Sequence, residues 1–368
     1  MGLGIFYQDT LQEYDFGEGH PFRGDRYQLF PPFLRDMLPD DEYYTFLAAD
    51  FATDADLLMI CREEYITFTR EYYAHAHRGS ITPALQTQFP LFQSGDNKPG
   101  RHPGRIEDAA RLIIGQTKRG IDCVQRGDYR KVVSIGGGMH HAKPQYGEGF
   151  CIYNDVAFAG TYLLEHYRLH RIVIIDTDAH AGNGTADYFY HDPRVLFIDL
   201  HQDPLTLYPG TGFISDIGAG EGQGYTINVP LPRYAGYESY QLVFDTIIQP
   251  VTEEFQPEII IRNGGSDPHF ADTLTQLGLP VRGFRMIGER IRDLATLCHG
   301  KEVDLIASGY NTAVLPYAWL ALLSGLQHIE LSIPEPLSTP PPDMVVGATK
   351  RVIDDITRTH REYWRCFH

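Results

Sequence analysis

The segment IIDTDAHAGNGT (Ile174–Thr185) follows an apolar, β-branched run, RIVII (Arg171–Ile175), with Asp176, Asp178 and His180 at alternate positions. In an extended chain alternate side chains share a face. Two carboxylates and an imidazole on one buried face repel or desolvate badly unless a cation holds them. One histidine and two carboxylates leave tetrahedral zinc an open position for water, as catalytic sites require, and such a water loses its proton near neutral pH. A further ligand is expected from a different strand end. NGGSDPH offers both Asp267 and His269. Ordinary helix capping would account for a lone D-x-D or for Asp267 alone; the added histidine and the second strand end favour a metal.

GGGMHHA places His140 and His141 just past another apolar run. Adjacent histidines cannot easily both bind one ion, so a general base and acid pair fits better. Three glycines before them let the backbone turn sharply and approach a ligand, although a flexible surface loop would explain the glycines equally well. In SGYN, Tyr310 follows a glycine at a strand end and can present its hydroxyl to an oxyanion. With 23 tyrosines in the chain, most must be structural.

Elements that would position these groups recur through the middle of the chain. KVVSI (Lys131–Ile135), RIVII, VLFIDL (Val195–Leu200), EIIIR (Glu258–Arg262) and VDLIAS (Val303–Ser308) read as strands. Helical patterns over Asp155–His170 and Tyr237–Phe255 separate them. That alternation predicts an α/β fold with parallel strands and crossover helices. Polar and glycine-rich residues follow nearly every strand at its carboxyl end, where open parallel sheets bind ligands. Ser332–Met344, rich in proline, reads as a surface loop, and Val345–Trp364 as a C-terminal helix packing back. Ser80–Arg105 reads as a long loop that shapes the mouth of a site or a dimer contact.

With 368 residues and 43% hydrophobic content the chain can bury a substantial core. A net charge of −17 argues against binding nucleic acid or an anionic membrane. Cys61, Cys123, Cys151, Cys298 and Cys366 are odd in number and scattered, which argues against a disulfide framework or a cysteine zinc site. No leader pattern and no membrane-length apolar run stand out, so a cytoplasmic protein is expected.

GGGMHHA, GEGFCIYNDVA, DTDAHAGNGT, YPGTG, the Asp267 segment and SGYN, preceded by FGEGHPFRGDR (Phe16–Arg26), together resemble the zinc-dependent histone deacetylase superfamily. That superfamily includes acetylpolyamine amidohydrolases and acetoin-utilisation proteins. The resemblance runs from about residue 16 to 312. It implies the arginase/deacetylase fold, an eight-stranded parallel sheet flanked by helices on both faces, as a single catalytic domain over residues 1–368. It assigns one zinc, or ferrous iron in the cell, to Asp178, His180 and Asp267. Asp176 orients His140; His140 and His141 form the base and acid pair; Tyr310 polarises the substrate carbonyl. Phe150, with Gly149 before it, and Tyr208 line an apolar tunnel with Leu274 at its mouth. Asp96 matches a rim aspartate that grips substrate backbone, and Arg26 an inner-pocket arginine. Structural potassium is implied at Asp176, Asp178, His180 and Leu200, and at a second site formed by Phe189, Val195 and Tyr225.

Four positions depart from the family pattern. Ala181 follows His180 where a second histidine is usual, Asn183 rather than aspartate backs His141, Tyr208 stands where phenylalanine is common, and Ser308 replaces a glycine before Gly309 and Tyr310. The implied activity is hydrolysis of an N-acyl amide of lysine or a small amine, with no evident charged gate at Leu274 to select a polyamine. A binuclear manganese ureohydrolase on the same fold, and a scaffold protein without activity, are the rivals. Oligomeric state is not legible.

Overall fold

The computed structural model describes residues 2–38 and 43–368. Eight parallel strands form one sheet in the order β2-β1-β3-β8-β7-β4-β5-β6. They are β1 (Leu3–Phe6), β2 (Tyr44–Leu47), β3 (Lys131–Ile135), β4 (Ile172–Asp176), β5 (Val195–Gln202), β6 (Thr226–Leu231), β7 (Ile259–Asn263) and β8 (Glu302–Ile306). Every residue of β4, β5, β7 and β8 is buried. Side chains alternate between faces along a strand, so both faces of the central sheet are covered, as parallel sheets demand.

The order explains how distant segments meet. β7 and β8, late in the chain, fill the gap between β3 and β4. The loops after β3, β8, β7 and β4 therefore emerge side by side at one end of the sheet. A change of direction in strand order opens a crevice there.

The five expected strands are present, each within a residue or two of its expected ends. Three others were not anticipated. β1 and β2 have four residues each, and β6 contains Pro230. β6 is an edge strand, where a missing N–H is tolerated.

The helix at Asp155 ends at Glu165, short of His170, and Asn154 caps it by accepting the Ala157 N–H at 2.7 Å. Tyr237–Phe255 is helical throughout but passes through a π turn at Phe244–Ile248, just ahead of Pro250, which has no N–H to donate to the preceding turn. The C-terminal helix spans Val346–His360.

Residues 80–105 differ from the expected loop. They contain a helix, Pro83–Phe92, and a short 3-10 turn, Gly95–Asn97. The start signal is legible in retrospect: Thr82 accepts the Leu85 N–H at 3.3 Å and Pro83 occupies the first turn.

Candidate active site

The site begins with one row across the sheet. Asn263 of β7, Asp176 of β4, Asp199 of β5 and Asn228 of β6 are neighbours in register. All four are buried. Asp176 Oδ2 meets His140 Nδ1 at 2.8 Å and accepts from Asn263 Nδ2 at 2.8 Å. Its Oδ1 accepts the Asp178 N–H at 3.0 Å, which shapes the turn leaving β4.

His140 and His141 arrive from the loop after β3, which Asp155 pins by accepting the Gly138 and Met139 N–H groups at 2.9 and 2.7 Å. Asn154 Nδ2 holds the carbonyls of His140 and Ala142. The two imidazoles face each other, Nε2 to Nε2, at 3.1 Å. The outer nitrogens take different partners: His140 Nδ1 faces the Asp176 carboxylate, and His141 Nδ1 faces Asn183 Oδ1 at 2.7 Å.

With both Nδ1 positions donating to oxygens, one proton lies between the Nε2 atoms. Burial opposes charge on His140, but the carboxylates of Asp176 and Asp178 outweigh it and raise its pKa to about 9. Burial and the charged His140 push His141 well below its ordinary value. At neutral pH the pair is thus an imidazolium, His140, beside a neutral imidazole, His141.

Asp178, His180 and Asp267 form the one potential metal-ligand cluster among the described residues; their donor atoms lie within 4.8 Å of one another and all three residues are buried. His180 Nδ1 is 3.0 Å from both Asp178 Oδ1 and Asp267 Oδ2. Two buried carboxylates closing on one imidazole nitrogen need a positive charge between them. Without a metal it is a proton. Burial opposes it, but the two carboxylates hold His180 up at about 10, while burial and the Asp178 charge push Asp267 up to about 7. One nitrogen and two carboxylate donors match zinc chemistry, so the residues fit the metal. His269, the alternative ligand from the same segment, turns away to Glu335 Oε1 at 2.7 Å.

The remaining expected residues sit around this cluster. Tyr310 stacks edge-on to His180, Phe150 and Phe22 with ring centroids 6.3, 6.0 and 6.4 Å apart. Burial and the Asp267 charge push its phenol far above the ordinary value, so it remains an O–H donor. Gly309 before it has φ +125°, and a Cβ there would stand 1.9 Å from Ser266 Oγ, so only glycine delivers Tyr310. The Arg26 guanidinium lies 5.3 Å from the Tyr310 ring centroid and donates to the Ala307 carbonyl at 2.9 Å.

Gly149 has φ +60°, and a Cβ on it would meet the His141 ring at 2.2 Å. Phe150 follows, also left-handed at φ 66°, its carbonyl held by Tyr14 Oη at 2.7 Å. A bulky residue in that region is strained, as functional sites often are. The Tyr208 ring lies edge-on to His141 at 5.2 Å and is 41% exposed. Leu274, 39% exposed, is tied by its N–H to Asp272 Oδ1 at 2.8 Å; the other oxygen of Asp272 accepts the Tyr310 N–H. Asp96 accepts the Gly149 N–H at 3.0 Å and bonds Ser94 Oγ, so its carboxylate anchors the wall that carries Phe150.

Of the residues expected at the first potassium site, Asp176, Asp178 and His180 follow one another out of β4, and Leu200 lies in neighbouring β5. Beside them Asp199, 1% exposed, accepts the Gly182 N–H at 2.8 Å through Oδ2, but its Oδ1 has no hydrogen-bond partner among the described residues. Burial and the Asp176 carboxylate push its pKa well above the carboxylate range. Asp199 also lines a cavity of about 240 Å³ with Asn183, Asp216 and Asn228. An orphaned carboxylate oxygen beside a second carboxylate fits a cation. Phe189, Val195 and Tyr225 lie at the far, amino-terminal side of β5 and β6. There the Phe189 carbonyl accepts the Asp192 N–H at 3.0 Å and the Tyr225 carbonyl the Phe197 N–H at 2.9 Å.

Sequence reading missed Asn263, Asp199, Asp155 and Asp272. A polar residue inside an apolar run, as in FIDLHQ, was the available signal for Asp199.

Comparison with known proteins gives the family and the fold. A family model described as "Histone deacetylase domain" matches residues 20–326. The chain belongs to the histone deacetylase family. A protein of Archaeoglobus fulgidus named "Probable deacetylase" is 34% identical over the full length of both chains. The acetoin utilization protein AcuC of Staphylococcus xylosus is 33% identical over 90% of this chain and 85% of its own. The crystal structure of the HDA15 HD domain superposes with a TM-score of 0.83 at 22% identity, covering 100% of this chain and 98% of that one. The fold is therefore that of the histone deacetylases, and the family assigns deacetylase chemistry in general terms.

Proposed function

We propose that this chain is a zinc-dependent deacylase that hydrolyses the N-acetyl, or more broadly N-acyl, amide of lysine or a small amine to the free amine and a carboxylate. The observation carrying this reading is that the Asp178–His180–Asp267 cluster, the His140–His141 pair and Tyr310 converge from four adjacent strand ends. Held by Asp178, His180 and Asp267, zinc would polarise the acyl carbonyl and lower the pKa of an attacking water toward neutrality. His141, neutral and unprotonated at Nε2, takes a proton from that water. His140, held charged by Asp176, stabilises the developing negative charge and shares the proton returned to the leaving amine. Tyr310 Oη donates to the oxyanion. Phe150 and Tyr208 hold the aliphatic stem and exclude water, Leu274 and Asp96 border the entrance, and Arg26 lies beneath Tyr310 toward the acid product.

Structural potassium beside Asp176 belongs to the same reading, with Asp199 as the supporting observation, and we retain the Phe189–Tyr225 set as a second site. We read residues 1–368 as one catalytic domain. Cytoplasmic location is supported by five cysteines none of which is paired. No described helix is long and apolar enough to cross a membrane. The arginase-like alternative needs a second metal and more bridging ligands; the donors here gather as one cluster of three among the described residues.

A pH profile tests the histidine assignment. Asp176 raises the His140 pKa, so the imidazolium is present below that value and lost as pH rises through it. Activity is expected to fall on the alkaline side, below about 9 because a bound dication adds positive charge. Asp176→Asn moves this limb to lower pH. An unmoved limb would remove His140 from the role.

Substrate is settled by kcat/KM across acetyl-lysine peptides, longer acyl-lysines and acetylpolyamines. Exposed Leu274 and Tyr208 at the rim favour the acyl-lysines, whereas the net charge of −17 attracts polyamines. A preference for acetylpolyamines above tenfold would select the second class.

A further inference from the structure

Glu148 is not one of the three metal-cluster residues, yet it ends a chain of hydrogen bonds that begins at His141. His141 Nδ1 faces Asn183 Oδ1 at 2.7 Å, and Asn183 Nδ2 donates to Glu148 Oε1 at 2.9 Å. Lys143 Nζ lies 3.3 Å from the same Oε1 and 3.2 Å from Asp187 Oδ2, which fixes the carboxylate in place.

An asparagine amide can turn over with almost no change of shape. Turned over, Asn183 would present its NH2 to His141 Nδ1. His141 would then have to accept there, its proton would move to Nε2, and the lone pair that takes a proton from water would be gone. An aspartate has no such ambiguity, since both oxygens accept. A carboxylate on the outer side removes it for asparagine too, because Glu148 offers only acceptors and the NH2 must face it.

We propose that Glu148 is a positioning residue: by fixing the orientation of the Asn183 amide it fixes the His141 tautomer in which Nε2 is the base. This rests on the deacylase reading for its kinetic consequence, but not for its structural one.

The test combines kinetics with a tautomer measurement. Glu148→Ala lowers kcat by ~10–100-fold, the usual effect of losing an outer orienting partner, with KM little changed. Glu148→Gln, which can turn its own carbonyl toward Asn183, recovers most of the rate. In an Asn183→Asp background the sign changes. There Glu148 would confront a second carboxylate, so Glu148→Ala raises kcat or leaves it unchanged. A merely structural role predicts a similar loss in both backgrounds, and that result would overturn the proposal.

Nitrogen-15 NMR of histidine-labelled protein, with His141 assigned by difference from His141→Gln, reads the tautomer without any substrate. We expect an Nδ1-protonated ring in the parent and in Glu148→Gln, and mixed or Nε2-protonated populations in Glu148→Ala. An unchanged tautomer in Glu148→Ala refutes the positioning role even if the parent hydrolyses nothing. A parent without deacylase activity whose tautomer nevertheless depends on Glu148 refutes only the assigned reaction.

Discussion

Tyr310→Phe lowers kcat for amide hydrolysis by ~10²–10³-fold, the loss expected for removing one donor to an oxyanion, while bound metal stays at the parental level. The two halves of that expectation have separate causes. The phenol is held as an O–H donor by burial and by the charge of Asp267. Its ring lies 6.3 Å from that of His180, one of the three cluster residues. Phenylalanine keeps the edge-on contacts with Phe150 and Phe22, and the backbone tie to Asp272 is unaffected. Tyr310 contributes no atom to the Asp178–His180–Asp267 cluster, so metal affinity has no reason to change. Full activity in Tyr310→Phe, checked by steady-state kinetics with metal content measured on the same sample, would remove the tyrosine from the mechanism.

Asp178→Ala produces the other large effect, with the opposite signature: metal and activity are lost together. His180 Nδ1 then faces a single carboxylate, Asp267, and one of three donors is gone. The fall in metal affinity exceeds the ~10–100-fold typical of losing an outer partner. Asp178 also accepts the His180 N–H at 2.8 Å and lies 3.9 Å from His140 Nε2, so its loss disturbs the turn after β4 and the histidine pair as well. Asp176→Asn is the control, because it changes the rate through His140 and leaves the three donors in place. Elemental analysis after dialysis distinguishes the two. An Asp178→Ala protein that keeps one metal per chain would show that the ligands lie elsewhere.

The parts of this site that could be read in the sequence are those fixed by local geometry. The apolar run marked β4, but β4 ends at Asp176, so the period-two expectation of one shared face does not hold: a turn carries Asp178 and His180 to the metal cluster while Asp176 faces His140. Apolar runs likewise located His140, His141, Asp267 and Tyr310 at strand ends. What could not be read depends on register between strands. Nothing local says that Asp199 lies beside Asp176, or that Asn263 of β7 shares its carboxylate with His140; the parallel pairing of β7, β4 and β5 creates both contacts. The family resemblance chose Asp267 over His269 as the ligand, but nothing local showed that His269 pairs instead with Glu335 in the proline-rich segment 66 residues away. The helix at Pro83–Phe92 was hidden by its prolines, one of which starts the helix rather than breaking it.

On this reading a single metal bound at Asp178, His180 and Asp267 serves hydrolysis of a linear amide. The most direct test is acetate release by the purified protein, stripped and then reconstituted with increasing zinc or ferrous iron, on an acetyl-lysine peptide and an acetylpolyamine. Activity on at least one substrate should rise with metal and saturate near one equivalent per chain. Absence of acetate from either substrate at full loading, or saturation only at two equivalents of manganese with urea released from a guanidino substrate, would contradict it.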